Sequence, residues 1–174
     1  MYKRITRCLF VVVSLLLAGC AAPPLIPATG ANTAALRLVN LSPYVPVKAT
    51  EYPGENCNMG GAKSIVNDPV TGASLEPKKT FDTRIPAGQL FNVRSWVVQP
   101  TLTCSVTVSF MPQQGKEYVL TFDAQEGKCF IGVGRVERNG VSSNSTVVRE
   151  ESTRKRSAVA GITNGGNICA PELN

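Results

Sequence analysis

From Thr103 to Phe110 the chain alternates without a break. Cys104, Val106, Val108 and Phe110 are apolar, while Thr103, Ser105, Thr107 and Ser109 are small and polar. A period of two sends the two sets to opposite faces of an extended backbone, an arrangement no helix produces. The segment is therefore a half-buried antiparallel strand, and it needs other strands beside it and a second layer over its apolar face. The same pattern returns twice. Tyr118, Leu120 and Phe122 are the inward set between Glu117 and Asp123, and Cys129, Ile131 and Val133 follow the turn at 124–128.

Other segments read as strands with less force. Leu90–Val98 is rich in β-branched and aromatic residues. Ala35–Leu41, Val45–Tyr52 and Thr80–Ile85 are further candidates, the last stopped by Pro86 and Gly88. Pro46 lacks a ladder donor, which assigns Val45–Tyr52 to a sheet edge. Asn139-Gly140 is a hairpin signal that returns the chain through Val141 to Arg149. About seven or eight short strands with turns every 8–12 residues predict an all-β fold, an antiparallel β-sandwich over residues 35–174. The one candidate for a short helix is Val148–Ala158, and no internal repeat is visible.

Four cysteines fall in this body: Cys57, Cys104, Cys129 and Cys169. No two are close enough for a metal knuckle or a redox pair, so an exported chain would use them as two disulfides. Cys104 and Cys129 each open a strand at the same end of a presumed meander, both on the inward parity. Second-neighbour strands in one flat sheet lie about 9–10 Å apart, beyond the roughly 7 Å reach of a bridge. The pairing Cys104–Cys129 thus requires the strands to bend across the sandwich or curl together. It is favoured, with Cys57–Cys169 tying the early loop to the tail. Cys57–Cys104 with Cys129–Cys169 is the rival.

The N-terminus locates the protein. Met1–Arg7 holds three cations and no acid, and Cys8–Ala18 is an apolar run of 11 residues interrupted by Ser14 alone. About 20 apolar residues are needed to span a bilayer, whereas a secretory signal uses about 7–15. The run ends in Leu17-Ala18-Gly19-Cys20. In these four residues the chain resembles the bacterial lipoproteins, whose signals close on a Leu-Ala/Ser-Gly/Ala-Cys box. The resemblance implies a signal peptide over 1–19 and lipidation of Cys20, which becomes the acylated first residue. It also implies outer-membrane placement, because Ala21 stands where an Asp would retain the protein on the inner membrane. The partner so implied is a membrane, reached through a lipid anchor. Residues 20–34 then form the lipidated cysteine and a flexible tether, with three prolines and no charge. The fourteen residues after Cys20 reach at most about 45 Å.

Chemistry is sparse. The sequence has no histidine, the commonest general base and metal ligand. Three of its 18 cations lie in the signal, so the net charge falls from +6 to about +3 on cleavage, weak support for nucleic-acid binding. No metal site and no cofactor are expected. Gly60-Gly61-Ala62-Lys63-Ser64 lacks the Gly-Lys junction and following helix of a phosphate loop, and reads as a flexible loop. Ser152-Thr-Arg-Lys155 matches the bare Ser-x-x-Lys string without its companion motifs. Arg149–Arg156 reads as a solvated charged segment, with a basic patch on anionic lipid as the functional rival. Trp96 shares strand parity with Arg94; core burial is the default, and an exposed stacking platform the alternative. The expectation is a non-enzymatic structural or interaction protein of the cell envelope, facing the periplasm, with envelope proteins as partners. The alternative is a glycan- or peptide-binding module using Trp96, Arg94, Tyr118 or the 53–64 loop.

Overall fold

A computed structural model describes residues 28–66, 73–99, 102–138 and 145–156, together with Cys169. The described residues form two five-stranded sheets. In chain order the strands are β1 (Thr33–Asn40), β2 (Lys48–Tyr52), β3 (Lys63–Ser64), β4 (Thr80–Pro86), β5 (Phe91–Gln99), β6 (Leu102–Phe110), β7 (Glu117–Gln125), β8 (Lys128–Arg138), β9 (Ser145–Arg149) and β10 (Arg154–Arg156). Sheet I runs β4-β1-β7-β8-β9 and sheet II runs β10-β6-β5-β2-β3. All pairings are antiparallel except β1 with β7. The all-β sandwich expected from the alternation is the observed architecture.

The inward set of each strand builds one core between the sheets. Leu36 and Leu38 from β1, Val93 and Val97 from β5, Val106 and Val108 from β6, and Leu120 and Phe122 from β7 are all buried in it. An aromatic seam crosses the layer. Phe91 meets Phe110 edge-on at 5.7 Å between ring centroids, and Phe110 meets Tyr118 of the opposite sheet at 5.3 Å. Such ring pairs add about 0.5–1.5 kcal/mol beyond their buried area. The β7–β8 hairpin closes on Glu126 and Gly127, at φ 50° and 76°. This is the left-handed geometry that a two-residue turn needs to match strand twist.

Several expectations change. β6, β7 and β8 are not a meander in one sheet, because the chain passes from sheet II to sheet I between β6 and β7. Cys104 and Cys129 therefore face each other across the sandwich, with Cα atoms 6.0 Å apart, and their disulfide crosses between layers. That removes the distance objection to the pairing. Cys57–Cys169 is the second bridge, with Cα atoms 5.4 Å apart. Val45–Tyr52 is not an edge. Pro46 lies before β2, Val47 bridges Leu75, and β2 sits between β5 and β3. The short helix expected around Val148–Ala158 is, over its described part, the end of β9, a turn and β10. That turn carries the chain from sheet I to sheet II. β1 begins at Thr33, two residues inside the stretch expected as tether, and the Ala28 N–H donates to the Arg84 carbonyl at 3.1 Å. The Asn139-Gly140 hairpin signal lies outside the described residues.

Candidate functional site

The outer face of sheet II carries the sequence-predicted pair. On β5 the inward set is Phe91, Val93, Ser95 and Val97, so Asn92, Arg94 and Trp96 point away from the core. Register then brings their neighbours. Lys48 of β2 stands opposite Trp96, Thr50 opposite Arg94, and Tyr52 opposite Asn92. On the other side β6 sets Ser105 beside Trp96 and Thr107 beside Arg94. Trp96 is half-buried on this face and not in the core, contrary to the default reading. Lys48 Nζ lies 5.1 Å from the centre of its ring. Arg94 Nη2 donates to Ser105 Oγ at 3.0 Å. A groove of about 400 Å³ runs here, lined by Tyr52, Arg94, Trp96, Thr103 and Ser105, with Val97 and Cys104 at its wall.

The lower half of the same face is covered. Asn92 Nδ2 donates to the Tyr52 carbonyl at 3.0 Å and to the Gly54 carbonyl at 2.7 Å, and its Oδ1 accepts from Ser109 Oγ. Arg156 of β10 donates to the Glu55 carbonyl, and the Cys169 N–H to the Asn56 carbonyl. The loop after β2 is thereby drawn over the sheet, where Cys57 and Cys169 pack on Tyr52 with Ala62 beside them. A Cβ on Gly61 would come within 2.5 Å of the Pro53 ring, so the loop folds tightly on itself. Within this loop Gly60–Ser64 is expected from sequence to be flexible. The loop is a tied cover, with Asn58 Oδ1 accepting from the Gly60 N–H. Lys63-Ser64 form β3.

Other candidates are assigned structural work. Tyr118 is buried in the core, and its hydroxyl accepts the Gln113 N–H at 2.9 Å. Burial holds that phenol above its ordinary pKa. It presents no surface to a ligand. Arg149–Arg156 is not a uniformly solvated run, since Glu150 and Arg156 are buried. Glu150 accepts from both the N–H and the Oγ of Ser152, and Ser152 Oγ accepts from the Met111 N–H at 3.0 Å. Ser152 is thus engaged in a turn, and Lys155 lies on a strand beyond it. Glu51 occupies the inward parity of β2, opposite Lys63 across β3. Desolvation raises its carboxyl pKa above the usual range, partly countered by Lys63.

A second cleft, of about 500 Å³, lies at the end of sheet I among Lys116, Glu117, Arg135, Glu137 and Arg138. Its two acids are paired, Glu137 with Arg135 at 3.0 Å and Glu117 with Arg138. Arg135 also reaches Glu150 at 3.5 Å. Among the described residues no group of three or more His, Cys, Asp or Glu side chains could hold a metal ion. Cys20 and its box lie outside the described residues.

The parity of Arg94 and Trp96 was legible in sequence. Lys48, Thr103 and Ser105 were missed as members of the site, because only the register of β2 and β6 against β5 places them there. No family model matches this chain, and no curated protein does.

Proposed function

We propose that the protein is a lipid-anchored, non-enzymatic interaction module of the cell envelope, held on the outer membrane and facing the periplasm. The observation that carries this reading is the Leu17-Ala18-Gly19-Cys20 box at the end of a short apolar run. An 11-residue run suits a cleaved signal, and acyl chains on Cys20 would hold the body at about 0.8 kcal/mol per buried methylene. Two disulfides support an oxidising compartment. The described chain enters at the end of the sandwich that carries Arg84 and Pro86, and Trp96 lies five residues along β5 from Phe91 at that end.

Metabolic labelling with a palmitate analogue tests the anchor. Label is expected on the wild-type protein and not on Cys20→Ser, which should stay unprocessed or become soluble. Equal label on both overturns the reading. A second reading, a glycan- or peptide-binding module, is favoured by one observation: Trp96 lies half-exposed beside Arg94 on the outer face of sheet II.

A further inference from the structure

Cations on the outer faces of the sandwich differ in whether a carboxylate meets them. On the outer face of sheet I, Arg37 forms an ion pair with Asp82 and Arg138 with Glu117, while Arg84 donates to the Thr33 hydroxyl. On sheet II, Arg94 in the Trp96 groove is bound to a serine hydroxyl, and Lys48 beside the groove lies over the Trp96 ring. Among the described residues neither has a carboxylate partner, and none of those lining the groove is an acid. A guanidinium has five N–H donors in a planar fork, and Ser105 engages one Arg94 nitrogen. The rest of the fork is available for a bidentate acid, the strongest contact that group makes.

The rest of the lining narrows the ligand. Trp96 offers an apolar ring, and Thr103 and Ser105 offer hydroxyls that both donate and accept. A sugar ring has one apolar C–H face and an equatorial rim of hydroxyls, so it matches a ring flanked by hydroxyls. The volume of about 400 Å³ falls in the range of small-ligand sites, about 300–1,000 Å³. We infer that the Trp96 groove binds a carboxylate-bearing glycan. Trp96 takes the apolar face of one ring, Thr103 and Ser105 its hydroxyls, and Arg94 with Lys48 its acid groups. Lys48, a mobile point charge on a flexible stem, leaves the tryptophan ring for the carboxylate. The inference rests on the second reading above and sharpens it from glycan or peptide to acidic glycan.

Trp96 is the one tryptophan of the sequence, so its fluorescence reports on the groove alone. The full chain, purified in a neutral detergent, is titrated with oligogalacturonate, with a neutral galactose oligomer of equal length, and with oligoglutamate. Calorimetry runs in parallel. A saturable change in Trp96 emission is expected with oligogalacturonate, weakening steeply with added salt. The neutral sugar and the peptide should bind about tenfold more weakly or less, as should oligogalacturonate to Arg94→Gln. Lys48→Gln should fall between, with melting temperatures unchanged in both variants. Equal binding of the neutral sugar overturns the acidic inference and leaves a glycan module standing. Preference for oligoglutamate overturns it in favour of an acidic peptide. Silence from all three ligands in both measurements overturns the binding reading as a whole.

Discussion

The two sheets use their outer faces in opposite ways. On sheet I the outward residues meet solvent: Val147 is 61% exposed, Phe130 57%, and the Arg37–Asp82 pair lies open on the surface. On sheet II the outward residues Asn92 and Ser109 are 0% and 1% exposed, and Thr50, Thr107 and Tyr52 are also buried. A second, polar layer therefore covers the lower half of sheet II. It is held by Asn92 from below and by the Cys57–Cys169 bridge from above. The uncovered upper half is the Trp96 groove. Alternation in a strand separates core-facing from outward residues, yet outward does not mean solvated. Where a loop returns over the sheet, small polar residues are buried too, and each then needs a hydrogen-bond partner.

Removing the bridge over the covered face should have the largest effect. Cys57–Cys169 links residues 112 apart, and Cys104–Cys129 residues 25 apart. In the chain-entropy model the longer loop is worth about 1 kcal/mol more, within a general range of about 2–5 kcal/mol per native bridge. The Cys57→Ala/Cys169→Ala double variant is expected to lose more stability in urea than Cys104→Ala/Cys129→Ala. It should also expose the cover selectively, so that amide exchange accelerates at Gly54–Asn58 before it does in β7. A larger loss from the inter-sheet bridge would mean that the cover contributes little and the layer contact contributes most.

The next effect falls on Asn92. Its amide satisfies two loop carbonyls and the Ser109 hydroxyl at once. Asn92→Ala leaves buried polar groups unpaired, at about 1–3 kcal/mol for a group left unsatisfied. Loss of the cover should follow, read as faster proteolysis within 53–62 of a chain that still melts cooperatively. An unchanged urea midpoint would show that water replaces the amide and that the face is wetter than its burial suggests.

The sequence made part of this legible and left part of it hidden, for identifiable reasons. Residues 103–110 and 117–123 showed strand, face and core membership, because period two is a local property. Cys104–Cys129 was within reach through parity. What sequence could not show was that the chain changes sheets between β6 and β7, since a connection of a few residues serves a hairpin or a crossing equally well. Charge misled at Glu150 and Arg156, which sit in a run of exposed charges but bury themselves against Ser152 and Glu55. Trp96 was weighed toward the core on residue type, although its shared parity with Arg94 pointed outward. Lys48, Thr103 and Ser105 joined the groove through register, which is a property of paired strands and not of any one of them.

The smallest expected effect lies on the open face and gives the comparison its control. Arg37 Nε and Nη2 reach the two carboxylate oxygens of Asp82 at 2.7 and 3.1 Å, the two-pronged geometry that ranks among the strongest polar contacts. The cross-strand register of β1 and β4 sets the residues opposite one another. The contact raises the Arg37 pKa, through its hydrogen bond to Asp82 first and its charge second. An arginine is nevertheless protonated at any pH of interest, so this shift changes no charge in use. Both side chains are more than half exposed, water competes for each bond, and salt screens the pair. Geometry favours a large effect and exposure favours a small one. Exposure should win, because the free charges are already well solvated before they meet. Arg37→Ala should therefore leave the urea midpoint within the scatter of repeat measurements at physiological salt, with a small loss emerging only at low ionic strength. A loss as large as that of Asn92→Ala, unaffected by salt, would show that the face of sheet I is covered in the intact protein as the lower half of sheet II is.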